Sequence, residues 1–422
     1  MVSNYFKNIF INNYKLYEQM SQIIQLKPNQ AKEIVKEFIA RNKVLQSKGQ
    51  MPLAMSITGE SGLGKTSVVL QAAEEEGLPC AKINLAMLDD LGDLVGFPLK
   101  SYEMSKGDKT GWFNDKQFDV MIKAGYDPTG EVKTEIAPPA WVKVLKDGGI
   151  LLLDDYNRAD QRFMNATMEM VDRQSYYGWD LPKGVTIIMS CNPSDGEYFT
   201  AQQDQAQSTR YFNFGFKFDI DSWTTQAQKE GVDHRMQVFM MKYYKEALFG
   251  TGSKKKSSKL ITNPRQWGKF FSLIQDYPDY EKALPKIQLL GKGIVGDNIN
   301  FFTTFIQQRL DKLVDPVTIM NTKMPTVTVI AEIEASIGKG KKYAAEIASI
   351  VATRLSTYLI HHLENNNLSD DDCQRLEDVC KSKVFGEDLN FKIFRDTFNE
   401  HQTKFGKLLT RPYFLKHITG AK

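Results

Sequence analysis

Apolar residues in this chain form short continuous runs that are separated by stretches with helical spacing. A continuous apolar run bounded by turn residues is typical of a strand covered on both faces, as in a parallel sheet. The alternation from Phe212 to Phe218 instead predicts a last, half-buried strand. The runs that predict buried strands lie at 53–58, 80–85, 150–153 and 185–190.

Helical spacing fills most segments between and after these runs. Before the first strand, Leu16, Met20, Ile23 and Ile24 follow the i, i+4, i+7, i+8 pattern, so residues 1–48 are predicted to be helical. Strands that alternate with helices indicate an α/β fold with a parallel sheet between helices. Further helices are predicted at 67–75, at 159–171 and through most of the chain after residue 221.

Two segments depart from this alternation. Residues 99–139 have weak periodicity and many Gly, Pro, Asp and Lys residues, so we expect an insertion with exposed loops. Residues 174–182 place Tyr176, Tyr177 and Trp179 around a glycine, which predicts a hairpin. These aromatic side chains either contact another molecule or are buried against their own subunit.

The composition limits the class of protein and its partners. With 422 residues, 42% of them apolar, the chain is long enough for two or three units with their own cores. A net charge of +3 and a pI near 8.4 are too close to neutral to indicate a nucleic-acid partner. No window of about 18 uncharged apolar residues occurs, so no membrane partner is expected.

Cysteine spacing indicates the compartment. Cys80, Cys191, Cys373 and Cys380 lack the spacing of a zinc ribbon. Reduced, buried thiols are therefore expected, and these are typical of a cytoplasmic protein.

The strand at 53–58 breaks into a glycine-rich turn that is followed by a helix. Residues Gly59 to Thr66 fit the phosphate-binding pattern G-x-x-x-x-G-K-[ST] in full. Glycines let successive backbone N–H groups curl round a polyphosphate, Lys65 reaches the terminal phosphates, and the Thr66 hydroxyl binds Mg²⁺. The next helix directs its positive end at the same anion. We therefore predict a nucleotide site formed by Gly59, Glu60, Ser61, Gly62, Leu63, Gly64, Lys65, Thr66 and Ser67.

Two adjacent carboxylates, Asp154 and Asp155, end the buried run at 150–153. The carboxyl edge of a parallel sheet is where open α/β folds bind their ligands. In a nucleotide site the first acid can hold the hydration shell of Mg²⁺, and the second can orient or deprotonate the attacking water. An ordinary polar strand end or a helix cap is the alternative interpretation.

The order of these motifs resembles an AAA+ ATPase of the MoxR-like branch, in a phage or bacterial member. Residues 151–159 are similar to the Walker B signature of that branch, 187–193 to its sensor 1 strand, and 263–265 to the start of its sensor 2 helix. The resemblance covers about residues 50–275. It implies an α/β P-loop core with a parallel sheet between helices, followed by an α-helical lid and a mainly helical C-terminal extension.

The resemblance also implies roles for single residues. Lys65 and Thr66 would bind phosphate and Mg²⁺, Asp154 would hold the metal shell, and Asn192 would position water against the γ-phosphate of ATP. Asp155 stands where the family usually has Glu, so its carboxylate arm is one methylene shorter. A misplacement of about 1 Å can cost on the order of 10²-fold in rate, so slow hydrolysis is expected.

Two arginines complete the implied site. Arg265 would contact the nucleotide from the lid of the same subunit. Arg210 matches the Asp-Arg-Phe position of the branch, with Thr209 and Tyr211 as altered neighbours, and would reach the site of an adjacent subunit. That role requires a homo-oligomeric ring, for which a hexamer is the expected size. Ordinary surface arginines are the alternative for both positions.

The leading hypothesis is a Mg²⁺–ATP-hydrolysing ring protein that remodels or helps to assemble an unidentified protein client. One alternative is a DNA-directed motor or loader, for which the lysine-rich run at 254–259 is the main hint, although such runs are usually solvated loops. Another alternative, prompted by Asp155, is a nucleotide-gated assembly component with weak hydrolysis. The expected domains are an N-terminal helical element (1–48), the nucleotide-binding core (49–220), the helical lid (221–315) and a mainly helical C-terminal region (316–422).

Overall fold

The computed structural model describes residues 23–193, 209–249, 262–411 and 413–414. The chain divides into two compact units, Met1–Phe218 and Asp219–Lys422, here called the α/β unit and the helical unit. The helix predicted around Leu16 and Met20 and the lysine-rich run at 254–259 lie outside the described residues. The finer division into four domains stays a prediction.

Strands and helices alternate through the α/β unit. In chain order they are β1 (Gln25–Leu26), α1 (Pro28–Ser47), β2 (Met55–Thr58), α2 (Lys65–Glu75), β3 (Cys80–Asn84), α3 (Leu91–Val95), β4 (Phe97–Lys106), β5 (Lys109–Asn114), α4 (Asp115–Lys123), β6 (Asp127–Ala137), β7 (Gly149–Asp154), α5 (Gln161–Arg173), β8 (Ser175–Tyr176), β9 (Trp179–Asp180), β10 (Val185–Cys191) and β11 (Phe212–Phe216). Short 3-10 helices lie at Leu85–Met87, Ala140–Leu145 and Tyr156–Arg158.

Six of these strands form one parallel sheet in the order β1-β11-β2-β10-β7-β3. Strand β7 shows why the sheet is buried on both faces. Its residues Ile150 and Leu152 pack into a hydrophobic cluster with α1 and α2. Leu151 and Leu153 point the other way, into a cluster that contains residues of α5. The predicted α/β class with a parallel sheet between helices is therefore confirmed.

The N-terminal edge of the sheet corrects the prediction that residues 1–48 are helical throughout. Ile23 and Ile24 precede a short strand, β1, and are 46% and 67% exposed. The backbone N–H of Gly215 donates to the Ile24 carbonyl, and the N–H of Lys217 donates to the Leu26 carbonyl. These hydrogen bonds to β11 stabilise an extended backbone, whereas local apolar spacing reports only on helical packing.

The segment predicted as exposed loops contains a second sheet, so that prediction is wrong. Strands β4, β5 and β6 form an antiparallel sheet in the order β5-β4-β6, and α4 packs against it. The Tyr102 ring of β4 meets the Phe118 ring of α4 edge-on, with 4.8 Å between centroids. Many side chains of these strands are exposed, which removes the apolar alternation that would have indicated strands.

The helical unit consists of helices and short connections over its described residues. They are α6 (Ile220–Lys229), α7 (His234–Phe249), α8 (Pro264–Ile274), α9 (Tyr280–Val295), α10 (Ile299–Gln307), α11 (Pro316–Ile319), α12 (Thr326–Ile337), α13 (Ala345–Asn365), α14 (Asp370–Lys381), α15 (Glu387–Glu400) and α16 (Gln402–Leu409), with 3-10 helices at Gly296–Asn298, Leu310–Lys312 and Gly340–Lys342.

An aromatic cluster forms part of the core of this unit. Phe239, Trp267, Phe270 and Phe302 are fully buried, and the Phe239 ring centroid lies 4.8 Å from that of Trp267 and 5.0 Å from that of Phe302. The cluster joins α7, α8 and α10, which are far apart in sequence. Across the described parts of both units, no helix is both long enough and apolar enough to cross a lipid bilayer.

Candidate nucleotide-binding site

Neighbouring strands of the central sheet end together at one edge. In the parallel register Thr58 pairs with Cys191, and Asn84 pairs with Asp154. This is the carboxyl edge, where α/β sheets bind ligands. It brings the glycine-rich loop, the two carboxylates and the asparagine after β10 to one place.

The glycine-rich loop has a backbone that favours glycine at particular positions. Gly62 and Gly64 have φ angles of 80° and 101°, in the left-handed region that glycine adopts without strain. A Cβ atom at Gly59 would lie 2.6 Å from the Phe216 carbonyl oxygen, so only glycine fits between this loop and β11. Helix α2 begins directly after Gly64, and the N-terminal end of a helix favours an anion.

Lys65 is buried in this loop, with only 7% of its surface exposed. Its ammonium Nζ donates hydrogen bonds to the carbonyl oxygens of Gly59 at 2.6 Å and Glu60 at 3.0 Å. It also lies 3.4 Å from the Asn192 Oδ1 oxygen. The lysine cation is therefore held between the loop and the end of β10. Of the remaining predicted loop residues, Ser61, Gly62 and Leu63 are half-buried and Ser67 is exposed.

Asp154 lies against the start of α2. Its Oδ1 accepts a hydrogen bond from the Thr66 hydroxyl at 3.0 Å, and its Oδ2 lies 3.0 Å from the Lys82 ammonium. Burial alone would raise the pKa of Asp154. The hydrogen bond and charge of Lys82, with hydrogen bonds from Ser190 and Thr66, outweigh that effect and hold its pKa below the usual value. This carboxyl group is therefore ionised at neutral pH.

Asp155 has both carboxylate oxygens occupied by amide groups. Asn192 Nδ2 donates to Oδ1 at 2.9 Å, and Asn84 Nδ2 donates to Oδ2 at 3.2 Å. The Asp155 backbone is left-handed, with φ 51° and ψ 36°. Such a conformation is uncommon for a residue other than glycine and frequently marks a functional site.

Asn84 is a site residue that the sequence prediction missed. Its Oδ1 accepts a hydrogen bond from the backbone N–H of Ala86, which orients its Nδ2 towards Asp155. The signal that could have found it is its position, since it is a polar residue at the carboxyl end of a strand next to β7.

Asn157 is a second residue that was missed. Its Nδ2 donates to the Asn192 carbonyl oxygen at 2.7 Å, and its Oδ1 accepts from the Asn192 backbone N–H at 2.9 Å. Both residues are 3% exposed. Asn157 therefore fixes the backbone from which Asn192 reaches Lys65 and Asp155.

The two predicted arginines lie in different units. Arg210, in the α/β unit, has its Nε 2.5 Å from Asp172 Oδ2 of α5, and its side chain is 31% exposed. Arg265 is in the first turn of α8 in the helical unit and is exposed. That helix begins with a capping box between Asn263 and Gln266. The roles of both arginines at a nucleotide stay predictions.

The aromatic residues of the hairpin differ in burial, so one fits contact with another molecule and one fits burial against its own subunit. Tyr177 is 78% exposed, as expected of a residue that contacts another molecule. Trp179 is 7% exposed, its Nε1 donates to the Val95 carbonyl oxygen at 2.9 Å, and its ring packs edge-on against Trp141. Trp179 is thus part of the core of its own unit.

The donors beside α2 fit Mg²⁺. The Thr66 hydroxyl and the Asp154 carboxylate are hard oxygen ligands, which Mg²⁺ prefers, and they lie 3.0 Å apart at the helix start. The Lys82 ammonium on the same carboxylate shows that a positive charge is accommodated there. Thr66 and Asp154 are the residues that would hold the ion.

Comparison with known proteins adds little to this geometry. No protein-family model matches the chain, and no curated protein matches it. Among solved structures, the chain is similar to a "putative ATPase" from Cytophaga hutchinsonii, with 15% identity, 93% of this chain and 97% of that chain covered, and a TM-score of 0.30. A score of 0.30 is too low to carry an argument, so the fold assignment rests on the sheet order and the loop.

Proposed function

We propose that this chain binds Mg²⁺–ATP at the carboxyl edge of its central sheet and hydrolyses it. The observation that carries the proposal is the convergence of Lys65, Thr66 and Asp154 at the start of α2. A polyphosphate needs backbone N–H donors, a lysine and a metal-binding oxygen pair close together, and the glycine-rich loop, the start of α2 and the end of β7 together supply all three.

The hydrogen bonds of Lys65 support the proposal because they hold its ammonium beside the predicted phosphate site. The carbonyl groups of Gly59 and Glu60 hold its ammonium at the loop, from where it would turn to the β- and γ-phosphate oxygens. Thr66 and Asp154 would hold Mg²⁺, which when bound neutralises charge on those oxygens. The loop N–H groups would bind the remaining phosphate oxygens.

Asp155 and Asn192 are placed to act on water. The Asp155 carboxylate would orient the attacking water and accept its proton, while the Asn192 amide would position that water against the γ-phosphate. Asn192 contacts both Lys65 and Asp155, so it links the phosphate-binding lysine to the general base. Its backbone is held by Asn157.

The finer proposal is a MoxR-like ring, expected to be a hexamer, that acts on a protein client. Arg210 would leave Asp172 and reach the nucleotide of an adjacent subunit, and Arg265 would contact the nucleotide in cis. On the described residues no observation favours the DNA-directed alternative, since its basic run at 254–259 lies outside them.

A second candidate is a nucleotide-gated assembly component with very slow hydrolysis. It is favoured by one observation: both oxygens of Asp155 are occupied by amides, from Asn84 and Asn192. A carboxylate whose two oxygens are both held by amides must give up one of these contacts to take hold of a water, and the aspartate arm is already short.

Both candidate functions require ATP binding at this site, and calorimetry tests that requirement. Lys65→Ala should abolish binding, because the buried ammonium is lost, whereas Lys146→Ala should leave it unchanged. Lys146 is a suitable control because its side chain is 77% exposed and it precedes the opposite, amino end of β7. Unchanged affinity in Lys65→Ala contradicts the assignment.

Single-turnover kinetics separate the two candidates. For an ATPase, bound ATP should be hydrolysed much faster by the wild type than by Asp155→Asn, and Asp155→Glu should be tolerated or faster. Equal rates for wild type and Asp155→Asn, with ATP bound in both, favour the nucleotide-gated component.

A further inference from the structure

We infer that Lys82 is a built-in counter-ion for Asp154 that competes with Mg²⁺, so that the metal enters the site together with the nucleotide. The inference rests on the proposed function, because it concerns the same Mg²⁺ position. The new element is Lys82, a residue outside the phosphate loop and the carboxylate pair. It would determine the order in which Mg²⁺ and the nucleotide bind.

The register of the sheet places Lys82 on this carboxylate. Lys82 of β3 pairs with Leu152 of β7, and Asn84 pairs with Asp154. Residues two apart in a strand share a face, so Lys82 and Asp154 lie on the same face, about 6.6 Å apart along the strand direction. The four-carbon stem of lysine spans that offset, and Nζ reaches Asp154 Oδ2 at 3.0 Å.

Lys82 differs from its strand neighbours in burial. Ala81 and Ile83 point into the hydrophobic cluster on the other face and are 6% and 9% exposed. The Lys82 side chain is 43% exposed, while that of Asp154 is only 11% exposed. The ammonium can therefore move into water when it is displaced, while Asp154 stays at the start of α2.

The charges around the site explain the expected order of binding. Lys82 carries positive charge on Asp154, and a divalent cation that arrives alone must displace this ammonium and bear its repulsion. A triphosphate brings negative charge to the same place and offsets that repulsion. Mg²⁺ should thus bind weakly without nucleotide and well with it.

A purely structural ion pair between β3 and β7 is the competing explanation. Because Lys82 is partly exposed, such a pair contributes little to stability. The two explanations differ in what a neutral side chain does to metal affinity. If the pair is only structural, a neutral residue at position 82 should change stability slightly and leave metal affinity unchanged. If Lys82 competes with the metal, the same change should increase metal affinity.

Mn²⁺ titration followed by electron paramagnetic resonance, on the full chain without nucleotide, tests this. Lys82→Met should bind Mn²⁺ about tenfold more tightly than the wild type, from the loss of one positive charge near the ion. Lys82→Gln should do the same, and provides a second neutral variant if the first does not fold. Lys82→Arg, which keeps the charge, and Lys146→Met, at the far end of β7, should match the wild type.

Two further measurements locate the effect and separate it from the proposed function. Adding Asp154→Asn to Lys82→Met should remove the gain, and with ATP present the gain should shrink to within about threefold. An unchanged or weaker Mn²⁺ affinity in both neutral variants, no detectable binding in any variant, or a gain that survives Asp154→Asn overturns the inference. Wild-type ATP binding is measured in parallel: its absence refutes the proposed function alone.

Discussion

Asn157 and Asn192 are joined by two hydrogen bonds: the Asn157 side-chain Nδ2 donates to the Asn192 carbonyl oxygen, and the Asn192 backbone N–H donates to Asn157 Oδ1. The contact ties the 3-10 turn after β7 to the end of β10. It is fully inside the protein, where an unsatisfied backbone group is expensive. The pair therefore sets the position of the Asn192 side chain as well as the stability of this edge of the sheet.

Asn157→Ala should lower the free energy of unfolding by about 2–4 kcal/mol, because two buried hydrogen bonds are lost. It should also slow ATP turnover by up to about 10²-fold, since Asn192 is no longer held in place. Urea unfolding and single-turnover kinetics measure the two effects. Asn192→Ala is the matched comparison: it should slow turnover while leaving the backbone contact to Asn157 intact. Normal turnover in a folded Asn157→Ala protein contradicts the positioning role.

Truncation of the hairpin residues Tyr177 and Trp179 to alanine should have very different effects on stability. Trp179→Ala should destabilise the α/β unit by about 3–5 kcal/mol, because a buried ring and its hydrogen bond to Val95 are removed. Tyr177→Ala should change stability by no more than about 0.5 kcal/mol, because the ring is exposed. Thermal and urea unfolding measure both. A client that depends on the hairpin should lose binding to folded Tyr177→Ala protein.

The different burial of Tyr177 and Trp179 shows what the local sequence pattern can and cannot predict. The glycine-rich loop and the buried runs were predictable because their chemistry is local: glycines, a lysine and continuous apolar residues are adjacent in sequence. Trp179 could not be assigned to core or surface, because its hydrogen-bond acceptor, Val95, is far away in the chain.

Pairing between distant segments explains the other differences. Strand β1 owes its extended backbone to β11, and β4 owes its pairing to β5 and β6, so neither carries a decisive local signal. Asn84 and Lys82 become site residues only because β3 lies beside β7 in parallel register. The two carboxylates could be predicted as a pair from the sequence. Their amide and ammonium partners could be identified only once the strand order was known.

His234 should make the stability of the helical unit depend on pH. Burial, with repulsion from Arg354 and Arg235, lowers its pKa, against the opposing charges of Asp315 and Asp233. Because the folded pKa lies below the unfolded value of about 6.5, the unfolded chain binds the extra proton more readily. Stability is therefore full above that pH and decreases as the pH falls through it.

Urea unfolding between pH 8 and pH 5 measures this effect. His234→Gln should show a smaller decrease in the free energy of unfolding than the wild type over that range, because the titrating imidazole is absent. His362, which is half-buried like His234, provides a matched control in the same unit through His362→Gln. Parallel pH profiles for the wild type and His234→Gln contradict the assignment.

Arg210 and Asp172 provide the test of the proposed ring. If Arg210 only stabilises its own subunit, then Arg210→Ala and Asp172→Asn break the same pair and should have the same small effect, about 1 kcal/mol or less for an exposed pair. If Arg210 acts on a neighbouring nucleotide, the two variants should differ. Asp172→Asn removes the ion pair but keeps the arginine and should keep turnover, whereas Arg210→Ala should bind ATP nearly normally and lose roughly 10³- to 10⁵-fold in rate.

Mixing subunits decides between these outcomes. A residue supplied to an adjacent site makes each Arg210→Ala subunit disable an intact neighbour, so added variant should depress wild-type activity more than in proportion to its fraction. Wild-type activity per subunit should also fall on dilution, because an isolated subunit lacks the arginine of its neighbour, and light scattering should show dissociation over the same range. Activity that declines only in proportion to the variant fraction, and that stays constant down to a monomer confirmed by light scattering, would leave Arg210 as the partner of Asp172 within a self-sufficient nucleotide-binding subunit.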